Sequence, residues 1–165
     1  MLVLVTRHPV TLLELNMADS KVCKARKRLK TIATGITADG LTLLAAQIFL
    51  GNKALAADLS APFDYALNRP VLHVAGAALG FSGSQYPLTV DCRLIVPLSA
   101  FTAQDWGNAD NLVAALRAAW LEAGNYPEGE VKAKRCDFEP LKAEVRGDLT
   151  LLHVNLYVAF ENPDA

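Results

Sequence analysis

An α+β fold, with a mostly antiparallel sheet and two main helices packed on one face, is predicted by three features of the sequence. Residues 149–160 alternate strictly, with Leu152, Val154, Leu156, Val158 and Phe160 on one side and His153, Asn155 and Tyr157 on the other. Residues 86–98 repeat the pattern, with Val90, Cys92, Leu94 and Val96 against Thr89, Asp91, Arg93 and Ile95. A period of two of this kind describes antiparallel strands with one covered face. Between these segments, Leu112, Leu116, Ala119, Trp120 and Ala123 recur at helical spacing and mark a helix that packs on the sheet. The length of 165 residues and the hydrophobic content of 52% fit one domain with a packed core.

Along the chain, residues 1–36 read as a basic N-terminal arm or irregular segment, and residues 37–165 as the α+β domain. Leu2 to Val5 form a candidate short strand. Lys21, Lys24, Arg26, Lys27, Arg28 and Lys30 read either as one exposed helix or as a solvated arm. A first helix is expected from Ala38 to Leu50, capped by Thr37, with Asp39 in its first turn and Leu41, Leu44, Ala45 and Ile48 as its apolar face. Gly51-Asn52 then stops it. Residues 53–70 read as a connector with a short helix over Lys53 to Leu59.

Arg69-Pro70 leads into a strand over Val71 to Ala75 or slightly beyond, and Tyr86 to Leu98 form the second strand, ended by Pro97. The second helix is capped by Asn108, carries Asp110 in its first turn and stops at Gly124, Asn125 and Pro127. Val131 to Phe138, interrupted at Pro140 and resumed over Lys142 to Arg146, returns through Gly147-Asp148 into the strand Leu149 to Phe160. Arg146-Gly147-Asp148 is read as part of that turn.

Chemistry is sparse in this pattern. Gly76, Gly80 and Gly83 follow a strand, but their spacing matches neither a dinucleotide fingerprint nor a Walker loop. Gly80-Phe-Ser-Gly-Ser84 does not have the spacing of a nucleophile elbow. His8, His73 and His153 lack metal-ligand spacing, and Cys23, Cys92 and Cys136 include no C-x-x-C pair. A Cys92–His73 pair on adjacent strands is the one nucleophilic arrangement to consider. Three widely spaced thiols fit a reducing compartment. No apolar run approaches the ~20 residues of a membrane-spanning helix. The expectation is therefore no enzymatic activity, no cofactor and no metal.

Charge is unevenly divided. Residues 1–82 hold nine Lys/Arg against five Asp/Glu, and residues 83–165 hold seven against twelve, within a net charge of −1. Such a split suits head-to-tail contact between copies. Candidate contact residues are Lys24, Arg26, Lys27 and Arg28 in the basic stretch, and Arg93, His153, Asn155 and Tyr157 on the polar side of the strands.

Four segments carry a family resemblance: Arg69-Pro-Val-Leu-His-Val74, Leu88-Thr-Val-Asp-Cys-Arg-Leu-Ile-Val-Pro-Leu98, Asn111 to Ala123, and Asp148 to Glu161. In this order they resemble the tail terminator or tail-completion proteins of long-tailed bacteriophages, over roughly three-quarters of the chain. The resemblance rests on element order and pattern. It implies a structural virion protein of the tail, assembled in the host cytoplasm as a homo-oligomeric, hexameric ring. Its partners would be the tail tube protein and the head–tail connector proteins, with no membrane and no specific nucleic acid. Two other readings stand beside it. One is a small-molecule-binding domain or enzyme using the Gly76–Gly83 segment. The other is a nucleic-acid-associated protein using Lys21 to Lys30.

Overall fold

The structure, a computed structural model, describes residues 20–50, 69–79, 88–98, 106–139, 142–146 and 149–161. Its sheet is organised around the strand that the alternation marks most clearly, Leu149–Phe160. This strand pairs antiparallel with the whole of Leu88–Leu98, from Leu88↔Phe160 to Leu98↔Thr150.

In chain order the elements are α1 (Lys21–Ala33), the short strands β1 (Thr37–Ala38) and β2 (Leu41–Thr42), a 3-10 turn (Ala45–Gln47), β3 (Ile48–Leu50), β4 (Val71–Leu79), β5 (Leu88–Leu98), α2 (Gly107–Leu121), a second 3-10 turn (Ala123–Asn125), β6 (Ala133–Phe138), β7 (Lys142–Arg146) and β8 (Leu149–Phe160). The six-stranded sheet has the order β3-β4-β5-β8-β6, with β7 also on β8. All its pairings are antiparallel except β3 with β4, which is parallel. The predicted α+β class is therefore the observed one.

The basic stretch is a helix of the core. Ser20 caps α1 by accepting a hydrogen bond from the Cys23 amide at 3.1 Å. Ala25, Leu29 and Ala33, spaced one turn apart, form its buried stripe, while Lys21, Lys24 and Lys27 remain exposed. The expectation of an arm over residues 1–36 is thus replaced over Lys21–Ala33 by a docked helix. Lysines on the outer side of the helix obscure a stripe only three small or medium residues wide. Residues 1–19, including the expected strand Leu2 to Val5, lie outside the described residues.

The helix expected from Ala38 to Leu50 is absent, and a two-residue hairpin, a 3-10 turn and β3 take its place. Asp39 and Gly40 connect β1 to β2 with φ of 49° and 81°. Asp-Gly is the pair that a hairpin turn with two left-handed residues selects, and that local signal overrides the helical spacing. Thr37, expected as a helix cap, instead donates to the Leu41 carbonyl at 3.0 Å. Its hydroxyl also shares a 2.8 Å hydrogen bond with that of Thr42. Leu41 and Ile48 are buried, as a core reading required, but Leu44 is exposed. The stop at Gly51-Asn52 and the short helix over Lys53 to Leu59 lie outside the described residues.

Helix α2 begins at Gly107, so Asn108 lies within its first turn and Trp106 takes the cap position without a side-chain hydrogen bond. Its buried side is Ala109, Leu112, Val113, Leu116 and Trp120. Both helices contribute to one core cluster with Val90, Cys92, Leu94, Val96 and the inward residues Leu152 to Phe160 of β8. They therefore cover the same face of the sheet. The Trp120 indole donates to the Leu29 carbonyl at 3.0 Å, and the Tyr126 hydroxyl to the Trp120 carbonyl at 2.7 Å. The first bond fixes α1 against α2 inside the apolar layer, and the second ties the segment after α2 back to its last turn.

Pro97 does not end β5, since the ladder with β8 continues through Pro97↔Leu151 to Leu98↔Thr150. The last β4–β5 pair is Val71↔Ile95, so on that side Pro97 has no strand neighbour needing its missing N–H. β6 and β7 pair with successive halves of β8, as an interrupted strand should. Pro140 and the turn residues Gly147-Asp148 lie outside the described residues.

Two substitutions test this account by urea denaturation. Trp120→Phe should cost about 1–3 kcal/mol, because it removes the buried donor to α1 and part of the indole volume. Gly40→Ala should cost about 1–2 kcal/mol from backbone strain alone, because an added Cβ at this left-handed residue meets no atom within 4 Å.

Candidate functional site: the polar outer face of the sheet

The side of the sheet away from the helices carries the polar residues of β5 and β8 around Asp91, Arg93, Asn155 and Tyr157. Val71, Ile95 and Leu151 form a second, buried apolar cluster with Phe49, so the expectation that Ile95 lies on an uncovered face does not hold. Strand pairing sets β5 and β8 in rows, with Asp91 opposite Tyr157, Arg93 opposite Asn155, and Ile95 opposite His153. On the other flank of β5, His73 is paired with Arg93. The four predicted strand residues Arg93, His153, Asn155 and Tyr157 are therefore brought onto one face.

A hydrogen-bonded chain crosses this face. Glu139, just beyond β6, accepts from the Tyr157 hydroxyl at 2.7 Å and from the Asn155 side-chain amide at 2.9 Å. Asn155 in turn accepts from the Arg93 Nε at 3.3 Å. Hydrogen bonds from Asn155 and then Tyr157 hold the Glu139 carboxyl below its usual range, and the same contact raises the Tyr157 phenol. Glu144 on β7 bonds His153 Nε2 at 2.8 Å. Sequence reasoning missed both glutamates. Their common signal is position on or beside the broken strand that flanks β8, and distance along the chain conceals it.

β4 carries a bulge in the same region. Val74 pairs with Cys92 and Ala77 with Val90, so Ala75 and Gly76 together stand opposite Asp91. The expected glycine-rich loop therefore begins inside a strand, and Gly76 serves the bulge. Gly80 and Gly83 lie outside the described residues. An open depression of about 390 Å³ lies here, lined by Ala75, Gly76, Asp91, Cys92, Arg93, Asn155 and Tyr157.

The nucleophilic pair is not assembled. Cys92 is opposite Val74 and buried in the inner core, whereas His73 is one residue out of step and faces the opposite side. Burial pushes the Cys92 thiol well above its ordinary range, and burial likewise raises Cys136 to about 11. Neither thiol is a thiolate at neutral pH. No group of three or more His, Cys, Asp or Glu side chains suited to a metal occurs among the described residues.

The basic contact candidates occupy α1, in the layer on the other side of the sheet. Lys24 and Lys27 are exposed. Arg28 is held internally by Glu130, with Nε to Oε1 at 3.0 Å and a second guanidinium nitrogen to Oε2 at 2.8 Å. That two-pronged pair ties α1 to the segment before β6 and takes Arg28 out of the set of outward contacts. Arg26 is half-buried, and its Nε has no hydrogen-bond partner among the described residues.

No protein-family model matches this chain, and no curated protein is significantly similar to it.

His73 supplies a pH test. It is buried and stacked on Phe49, with ring centroids 5.6 Å apart. Burial, then the positive charge of Arg93, lowers it to about 4. In the unfolded chain a histidine titrates near 6.5. Between these values the unfolded chain takes up a proton that the folded chain refuses, so stability present above about pH 6.5 is lost as the pH falls toward 4. Denaturation at pH 7 and pH 5 should show the native chain losing about 2 kcal/mol more than His73→Gln.

Proposed function

We propose that this chain is a structural virion protein, a terminator-like subunit that forms a ring on the end of a phage tail tube and offers the surface joining it to the head connector. The observation that supports this reading is the outer face. Its side chains are cross-linked into a rigid polar surface by Glu139, Asn155, Tyr157 and Arg93. A broken, exposed strand runs beside it, and that strand bears Val145 at 74% exposure. Rigid polar faces with a few exposed apolar anchors suit protein–protein contact.

The two sides of the subunit differ in chemistry. Lys24 and Lys27 on α1 give the helical side a basic surface. Arg117 Nε binds the Cys136 carbonyl at 2.9 Å, which occupies part of the β6 backbone. Of the two strands that flank β8 on its outer side, β7, next to Val145, is then the one left for subunit pairing. In this reading the next subunit, the tail tube protein and the connector share the outer face, the β7 edge and the basic helix. The protein resides in the virion tail after assembly in the host cytoplasm.

Light scattering and negative-stain imaging of the protein, alone and with candidate tail-tube subunits, test the proposal. Rings of hexamer mass, or caps on tube ends, are expected, and Val145→Glu or the pair Lys24→Glu and Lys27→Glu should reduce them without unfolding the chain. A monomer that never engages a tube would overturn the reading.

A further inference from the structure

The depression at the β4 bulge combines two opposite charges, Arg93 and Asp91, that form no ion pair among the described residues. Arg93 makes one hydrogen bond, through Nε to Asn155, and forms no ion pair among the described residues. Its remaining guanidinium donors are therefore uncommitted, while the chain from Glu139 through Asn155 holds the side chain in place. Asp91 is exposed and has neither an ion pair nor a hydrogen bond among the described residues. The two residues stand on the same face of β5, two positions apart, which separates their backbone origins by roughly 7 Å.

The strand rows give each charge a companion. Arg93 lies opposite the Asn155 amide, a row suited to a carboxylate. Asp91 lies opposite the Tyr157 ring, a row that offers an ammonium both a carboxylate and an aromatic surface. Across β5, the residues opposite Asp91 are Ala75 and Gly76, too small to fill the space that the bulge opens.

We infer that this depression is a binding site for a small zwitterion of the α-amino-acid type, with its carboxylate on Arg93 and Asn155 and its ammonium at Asp91 and Tyr157. The volume of about 390 Å³ admits a free amino acid or a dipeptide. Gly76 and Ala75 leave room for the ligand backbone above the strand. The inference does not rest on the assembly reading, and occupation of the site would place a small molecule on the same face that the assembly reading assigns to protein contact.

Amide NMR titration of the whole chain with glycine, glutamine and a dipeptide tests the inference whether or not the protein forms rings. Saturable shifts confined to residues 73–76, 90–94 and 154–158 are expected, with a Kd of about 1 mM or tighter, as suits an open site. N-acetylglycine lacks the ammonium and glycinamide lacks the carboxylate, so each should bind at least about tenfold more weakly. Arg93→Gln should abolish the shifts, and Asp91→Asn should weaken binding of the zwitterion while leaving N-acetylglycine unaffected. The spectra themselves report that both variants are folded. Non-saturating or scattered shifts, binding of either blocked glycine as tight as that of glycine, or unchanged binding by Arg93→Gln would each overturn it.

Discussion

Every other feature depends on the pairing of β5 with β8. The two strands run antiparallel from Leu88↔Phe160 to Leu98↔Thr150, and each carries apolar residues at alternate positions. A slip of one residue would turn Leu152, Val154, Leu156, Val158 and Phe160 to the outside and His153, Asn155 and Tyr157 into the core. The register is therefore held by burial along the entire ladder. Both helices dock on the apolar side that it creates, and the polar rows arise on the reverse side from the same alternation.

The remainder of the fold is fitted to that frame by fewer, directional contacts. Trp120 reaches the Leu29 carbonyl and Arg28 grips Glu130, so α1 is joined both to α2 and to the segment leading into β6. Asn111 on α2 hydrogen-bonds Asp39 in the hairpin turn, which anchors the small β1–β2 unit on the same layer. Such contacts contribute modest energies singly, but they fix the orientation of elements whose apolar stripes are narrow. Helix α1 is the clearest case, because Ala25, Leu29 and Ala33 alone would specify its rotation weakly.

On the outer side, polarity does not mean disorder. Glu139 links two residues of β8, and Asn155 passes the constraint to Arg93 on β5. Side chains restrained in this way lose less freedom when a partner or ligand arrives, which is the general basis of preorganisation. The β4 bulge adds a local opening in a surface that regular pairing would have closed. A contact face and a small binding site can thus share the same strands.

Alternation with a period of two was sufficient to identify β5 and β8, the face they turn to the helices, and the set Arg93, His153, Asn155 and Tyr157, because side-chain direction in a strand follows from local geometry, but not that Ile95 and Leu151 are buried on the other face. The stripe of α2 was legible for the corresponding helical reason. Residues 37–50 were misread as a helix because Leu41, Leu44, Ala45 and Ile48 fit its spacing, although Asp39-Gly40 already carried the hairpin signal. Tertiary structure alone decided that the basic segment Lys21–Ala33 enters the core, that Arg28 is consumed by Glu130, and that Ala75 and Gly76 jointly face Asp91. It also brought Glu139 to Asn155 and Tyr157. These outcomes depend on register and on packing between segments far apart in the chain, where no local period records which side chains will meet.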